Sequence, residues 1–329
     1  MFKSLAKKSA FCLIPLLLFI LFNTCSASFA AEKASLRLGW IKDISSGGTI
    51  VAKEKGFFED RNIDMEIRVG GFELDPIKLV VSGSDTFGVT GADSLLAARS
   101  KGIPIVAIGV EYQRSPICFI SQKDKGISNP KDLIGKKIGV KYATDAETVY
   151  DIMLKKYDID RSKIQEIPVK WDMTPFFTGM VDVLPGYTIN EPLIARKKGL
   201  EIDVMKVSDL GIEMYGNVYF TTEKTLRKNP ELVEKFMAAV IDGWWYVVRH
   251  KEDSIQICLK AGKNLDKENQ SDIYDLMLPL FVSNNGRFCW MTPDKWQTVH
   301  DLLYSVDFLD EPLKIEEAYN MNPLKSAYK

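Results

Sequence analysis

Acidic and aromatic side chains stand where several predicted strands of this chain give way to helices. Trp40 ends the first strand, where an indole can stack on a flat ring or pack in the core. Asp93 and Ser94 follow a Gly-Ala turn at the end of another strand. A carboxylate there either accepts hydrogen bonds from a ligand amine or caps the helix that begins beside it. The sequence alone leaves both alternatives open.

A second group of candidates lies in the middle of the chain. Thr144 and Asp145 open a predicted helix, whose free N–H groups suit an anion or a polar edge unless the two residues only cap it. Trp171 and Asp172 form another aromatic–acid pair before a helix. Ser115 offers a hydroxyl where the chain leaves the first series of elements.

The stretch 187–192, Tyr-Thr-Ile-Asn-Glu-Pro, is the most informative segment. Pro192 fits the first turn of a helix, which places Asn190 and Glu191 at the helix entrance. Glu191 either caps this helix or accepts hydrogen bonds from a ligand amino group. Tyr187 provides a second plane on which a ring can stack.

These candidates require two series of alternating strands and helices to position them. The spacing of apolar residues predicts strands at 35–41, 63–69, 86–89, 104–110, 116–121, 137–140, 164–168, 181–186, 201–206 and 218–221. It predicts intervening helices at 49–55, 75–81, 93–101, 145–157, 173–178 and 191–198, and a helical C-terminal tail with runs near 230–250, 251–261, 267–282 and 293–305. Strands separated by helices indicate an α/β fold with largely parallel sheets.

The order of these elements predicts two lobes. We expect lobe one to comprise residues 35–117 and 222–329, and lobe two to comprise residues 118–221. Two crossings between the lobes make a hinge, and a cleft between lobes is the favoured place for a small ligand.

The first thirty residues are typical of a secretory signal. Lysines begin the segment, a 13-residue run without charge spans 10–22, and small residues end at Ala30. Such a run is too short to span a bilayer, which takes about 20 residues in a helix. We therefore expect cleavage after Ala30 and an extracytoplasmic protein, with an uncleaved anchor as the alternative. Lipid attachment at Cys25 is disfavoured by the residues that precede it, Phe22-Asn23-Thr24.

Charge and cysteine content exclude several classes of protein. Removing residues 1–30, which carry three lysines and no acid, takes the formal charge from −1 to −4, so no basic footprint for nucleic acid is expected. The cysteines that remain are Cys118, Cys258 and Cys289, an odd and widely spaced set that is not a disulfide framework, although it leaves one bridge open in an oxidising compartment. No cysteine or histidine spacing predicts a metal site, and no cofactor is expected.

Seven segments in order indicate a known family. They are GWIKD (39–43), EKGFFED (54–60), GVTGADSLLAARSKGIPIVAI (88–108), YQRSP (112–116), DLIGKKIGV (132–140), VDVLPGYTINEP (181–192) and YGNVYFTTEK (215–224). The chain resembles the solute-binding proteins of ABC transporters for alkanesulfonates, taurine, nitrate and thiamine-pyrimidine precursors, most of all the pyrimidine-precursor branch. The resemblance covers nearly all of residues 35–260. It implies a type II periplasmic binding fold, closure on a small molecule, and delivery to a membrane permease with its ATPase.

The candidate residues favour an amine-bearing ligand. Carboxylates would repel an inorganic anion, so we expect a thiamine-related pyrimidine or a similar planar heterocycle. In this interpretation Trp40, Trp171 and Tyr187 stack on the ring, and Asp93, Asp172 and Glu191 bind its amines. Gly39 stands where the pyrimidine-binding relatives carry Asn. Riboflavin, then an alkanesulfonate or taurine, are the alternative ligands.

The resemblance also includes pyrimidine synthases that use a lysine-bound pyridoxal phosphate, a histidine and a cysteine cluster. Aligned on LAARSKG (96–102), their lysine falls on Thr90 and their histidine on Ser94, and no cysteine lies within 215–221. Threonine cannot form a Schiff base, so the sequence predicts a binding protein and not an enzyme. A third possibility is that the aromatic stretch 236–248 is a docking face, although such stripes usually pack in a core.

Overall fold

A computed structural model describes residues 30–71, 73–170 and 172–329. The predicted signal segment before Ala30, Cys25 and the candidate Trp171 therefore lie outside the described residues. None of the described helices is long and apolar enough to cross a bilayer.

The described residues form two five-stranded sheets, and the first is built from residues 32–110 and 217–222. Its strands are β1 (Glu32–Arg37), β2 (Ile63–Arg68), β3 (Phe87–Gly91), β4 (Ile105–Val110) and β10 (Asn217–Thr222), in the order β2–β1–β3–β10–β4. Alternation along β2 buries Ile63, Met65 and Ile67 and exposes Asp64 and Glu66, as the period of two predicts.

The second sheet is built from the middle of the chain. Its strands are β5 (Ile117–Gln122), β6 (Lys137–Val140), β7 (Gln165–Pro168), β8 (Val183–Tyr187) and β9 (Ile202–Lys206), in the order β7–β6–β8–β5–β9. The predicted strands thus all form, and their limits differ by at most four residues from the prediction.

One strand of each sheet is antiparallel to its neighbours. β10 runs antiparallel to β3 and β4, and β5 runs antiparallel to β8 and β9. The prediction of largely parallel sheets holds for the other four strands of each sheet. β5 and β10 differ because each follows a segment that leads from the other sheet, and not a helix that returns the chain to the same edge.

The helices follow the predicted pattern. They are α1 (Gly47–Glu54), α2 (Pro76–Val81), α3 (Ala92–Ser100), α4 (Asp145–Lys156), α5 (Thr174–Phe177), α6 (Glu191–Lys197), α7 (Glu223–Lys228), α8 (Pro230–Arg249), α9 (Lys251–Ala261), α10 (Lys267–Phe281), α11 (Pro293–Ser305) and α12 (Asn322–Ala327). The helical tail is confirmed. The short helices α7 and α12 were not predicted.

Two segments, 111–116 and 207–216, link the sheets and run side by side. The backbone N–H of Ser115 donates to the carbonyl of Met214 at 3.0 Å, and that of Gly216 donates to the carbonyl of Tyr112 at 3.0 Å. The predicted lobe limits, 35–117 with 222–329 and 118–221, fall close to these segments. The movement of the two parts as separate lobes stays a prediction.

The aromatic stretch 236–248 packs in the core. Phe236 and Trp244 of α8 are fully buried, and α8 packs along α1. The interpretation of this stretch as a docking face is therefore wrong for these two residues. Cys118, Cys258 and Cys289 are free and buried, so the described part of the chain contains no disulfide.

Two glycines allow the close crossing of α1 and α8. A Cβ on Gly243 would overlap the carbonyl oxygen of Gly48, and a Cβ on Gly48 would overlap the Trp244 indole. Small residues at this crossing therefore set the distance between the two helices.

We expect Gly243→Ala to lower the free energy of unfolding by about 1–3 kcal/mol, because the added methyl group forces α8 away from α1. Urea denaturation checks this. Val248→Ala, at an exposed position of the same helix, is the matched control and should change stability by less than about 0.5 kcal/mol. Equal effects of the two substitutions would contradict the packing argument.

Candidate functional site

The candidate site lies where the first turns of two helices, α3 and α4, come together. One helix follows a strand of the first sheet, and the other follows a strand of the second sheet. α3 begins directly after β3, and α4 begins a few residues after β6, so each lies at the carboxyl end of a parallel strand, where α/β proteins bind ligands. α3 and α4 are in contact. They enclose a small cavity lined by Asp93, Asp145, Val149, Ser115, Ile117 and Met214, together with Tyr215 and two glycines.

Asp93 lies in the first turn of α3 and is only 3% exposed. The backbone N–H of Ser94 and the hydroxyl of Thr148 on α4 act to lower the pKa of this carboxyl group, against the larger effect of burial. The N-cap of α3 is Gly91, and a Cβ there would overlap Oδ1 of Asp93. Glycine at position 91 is therefore what allows this carboxylate to lie over the helix end.

Asp145 approaches the same cavity from α4. The hydroxyl of Tyr187, at the end of β8, donates to its Oδ2 at 2.5 Å. The two carboxylates thus lie in one cavity. The Tyr187 hydroxyl does not remove their mutual repulsion, since the charge of Asp145 still raises the pKa of Asp93.

Glu191 holds the backbone of Tyr187 in place. Its Oε2 accepts the backbone N–H of Tyr187 at 2.7 Å, and its Oε1 lies 3.0 Å from Nζ of Lys141. Both partners of this ion pair are buried, and a Cβ on Gly186 would approach the Glu191 carboxyl carbon within 2.5 Å. Contact between Glu191 and a ligand stays a prediction; in the structure this residue positions Tyr187.

Three other predicted residues lie near the cavity. Ser115 is buried, lines the cavity, and accepts the N–H of Ile117 at 3.4 Å. Ser94 follows Asp93 in α3 and is half-buried. The hydroxyl of Thr144 donates to the carbonyl of Lys141 at 2.6 Å and does not cap α4.

The remaining predicted residues do not line the cavity. Trp40 is 42% exposed. Asp172 is exposed and accepts the N–H of Thr174 at 3.0 Å, so it serves as a local turn partner. Asn190 is exposed, and its side chain does not cap α6. The structure therefore does not bring these three together with Asp93, and Trp171 is not described.

Several residues around the cavity escaped prediction. Thr148 lies in the second turn of α4, and Lys141 lies in the loop before that helix. Glu111 is buried in the linking segment, where it accepts the hydroxyl of Tyr219 at 3.0 Å. The sequence contained a signal for Lys141 and Glu111, because each is a charged residue directly after an apolar strand.

Burial governs the acid–base behaviour of these groups. Burial first, and the charge of Asp145 second, raise the pKa of Asp93 to about 7. Burial also raises the pKa of Asp145, against the hydrogen bond from Tyr187. Glu111 has a pKa of about 7, again because it is buried. The site therefore favours a proton or a cationic donor beside its carboxylates.

Comparison with known proteins places this architecture in a family. Residues 43–254 match the family described as NMT1/THI5 like. The formylaminopyrimidine-binding protein of Halalkalibacterium halodurans is 25% identical over 327 residues, which are 94% of this chain and 98% of that protein. A 4-amino-5-hydroxymethyl-2-methylpyrimidine phosphate synthase of Legionella pneumophila is 24% identical over 295 residues, with 88% and 91% of the two chains covered.

The fold is that of a solved binding protein. The periplasmic aliphatic sulphonate binding protein SsuA of Escherichia coli superposes with a TM-score of 0.69 at 18% identity, over 87% of this chain and 97% of that one. This likeness confirms the predicted periplasmic binding protein fold.

The raised pKa of Asp93 predicts a pH-dependent stability. Its pKa is about 3.9 in an unfolded chain and about 7 in the fold, so stability is lost as the pH rises through this range. The Asp93→Asn variant lacks this titrating group. We therefore expect its free energy of unfolding, minus that of the unsubstituted protein, to increase by more than about 1.4 kcal/mol between pH 5 and pH 8. This amount corresponds to one pKa unit.

Urea denaturation at pH 5, 6, 7 and 8 measures this difference. Asp172→Asn is the control, because hydrogen bonds from Thr174 lower the pKa of that exposed carboxyl group and keep it ionised across the range. Glu111 still titrates in the variant, so a reduced slope is expected and not a flat profile. Parallel profiles for Asp93→Asn and the unsubstituted protein would contradict the assignment.

Proposed function

The chain belongs to the NMT1/THI5-like family, and we propose that it is the extracytoplasmic solute-binding protein of an ABC importer. Its ligand, in this proposal, is a planar heterocycle that carries an amine, with a thiamine-related pyrimidine as the first choice. The relative from H. halodurans, a formylaminopyrimidine-binding protein that aligns along almost its whole length, supports this choice.

The meeting of Asp93 and Asp145 is the observation that carries the proposal. One carboxylate comes from each sheet, and both face the same cavity. An amine placed between them donates to both and removes the repulsion of two buried charges. A ligand of this kind therefore bridges the two halves of the protein.

The polar groups of the cavity argue against an anionic ligand. Among the described residues its lining contains two carboxylates and no lysine or arginine. Lys141, the buried cation nearby, forms an ion pair with Glu191. A sulfonate or nitrate would meet the negative charge of Asp93 or Asp145 without a cation beside it.

Binding requires the two sheets to move apart. The cavity measures about 10 Å³, roughly the space that one water molecule needs, whereas a pyrimidine is several times larger. Hinge motion at the segments 111–116 and 207–216 would open this space. Tyr187 and Tyr215 then offer aromatic surfaces beside the carboxylates, and Trp40 provides an exposed indole on the first lobe.

A binding protein fits these residues better than an enzyme. The synthase from L. pneumophila shows that relatives with enzyme names exist. In this chain Thr90 is the last residue but one of β3, three residues before Asp93, and it has no amine with which to hold an aldehyde cofactor. Ser94 likewise has no imidazole. We therefore propose capture without chemical change, followed by delivery to a permease and its ATPase after export by residues 1–30.

Calorimetric titration of residues 31–329 with a formylated aminomethylpyrimidine tests the proposal. We expect a Kd in the micromolar range or tighter. Asp145→Asn and Asp93→Asn should each weaken binding by at least about tenfold, equivalent to about 1.4 kcal/mol, because a charge-assisted hydrogen bond becomes a neutral one.

Asp172→Asn is the matched control and should bind with unchanged affinity, since Asp172 is exposed and does not line the cavity. Titrations with hydroxymethylpyrimidine, thiamine, riboflavin, taurine and nitrate complete the panel. If riboflavin alone binds, the proposed ligand is wrong and the proposed role in transport remains. Binding of taurine or nitrate alone would contradict the role of the carboxylates.

A further inference from the structure

A second pocket, of about 200 Å³, lies beside the linking segments and shares only Tyr215 with the lining of the carboxylate cavity. Gln113 and Arg114 of one linking segment and Tyr215 of the other form one side of it. The loop after α10 and the start of α11 form the other side, with Asn284, Asn285, Trp290 and Lys295 among its lining residues.

Two cations dominate the charge of this pocket. Arg114 is exposed, and Lys295 is half-buried, with its Nζ 2.6 Å from the carbonyl of Gln113 and 5.1 Å from the centre of the Tyr215 ring. Burial lowers the pKa of Lys295; Glu213 opposes this effect, and the charge of Arg114 adds to it. The two cations are therefore close enough to repel each other, and an anion between them would relieve that repulsion.

Neutral donors surround these cations. Oδ1 of Asn285 accepts the hydroxyl of Ser283 at 2.5 Å and the N–H of Arg287 at 3.3 Å, which leaves its NH₂ group as the donor. α11 begins at Pro293, and no side chain caps it, so its first N–H groups add positive potential next to Lys295. Among the described residues no carboxylate lines the pocket.

We propose that this pocket binds a phosphate-sized oxyanion between Arg114 and Lys295. The donors come from three directions, the linking segment, the loop 283–290 and the start of α11, which suits a tetrahedral group better than a planar carboxylate. The pocket differs in charge from the Asp93–Asp145 cavity, so the inference does not depend on the proposed ligand of that cavity.

Titration of residues 31–329 with inorganic phosphate tests this site. We expect saturable binding with a Kd of about 1 mM, seen as broadening of the phosphorus NMR line and as a rise in Tm that sodium chloride of equal ionic strength does not produce. A second titration with glycerol 3-phosphate shows whether a phosphate ester also enters, and binding of either compound supports the proposal.

Lys295→Gln and Arg114→Gln should each weaken phosphate binding by about tenfold. Lys260→Gln, at an exposed lysine of α9, is the control and should leave the affinity unchanged. If Lys295→Gln fails to fold, Arg114→Gln decides, because Arg114 is exposed and its loss leaves the fold intact. No saturable binding up to about 10 mM, or equal affinities of all variants, would overturn the proposal.

Discussion

The contact between α3 and α4 is the constraint on which the rest of this structure depends. It brings Asp93 and Asp145, one from each half of the chain, into a single cavity of about 10 Å³. Two ionised carboxylates in such a place are unfavourable, because burial and mutual repulsion both oppose their charge. The hydrogen bond from the Tyr187 hydroxyl to Asp145 compensates in part. The remaining cost makes the contact sensitive to protons and to any cationic group that enters.

The topology explains why one carboxylate comes from each half of the chain. Both sheets place a helix at the carboxyl end of a parallel strand, and the antiparallel strands β5 and β10 let the chain pass between the sheets twice. The linking segments 111–116 and 207–216 are joined by backbone hydrogen bonds. In the proposed hinge these segments would move together as its axis, and the carboxylates would lie where relative motion changes their separation.

Much of the fold could be predicted from the sequence, because apolar periodicity and the glycines and prolines at element ends are local signals. The rule that ligands bind at strand ends also led to Asp93 and Asp145. The partners of these residues depend on tertiary structure. Nothing local in the sequence shows that Lys141 pairs with Glu191, fifty residues away, or that Tyr187 donates to Asp145. For the same reason the sequence could not show that Asp172 and Asn190 are exposed and do not line the cavity.

The charge of the cavity also bears on how a ligand would close the proposed hinge. A ligand shifts a conformational equilibrium only by its difference in affinity for the two states. With both carboxylates ionised and no amine between them, repulsion between Asp93 and Asp145 favours separation of α3 and α4. An amine that contacts both carboxylates at once has its full interaction only when the helices are together. Closure then follows from the ligand's own chemistry, and a molecule with a single hydrogen-bonding edge would bind one lobe and leave the other free.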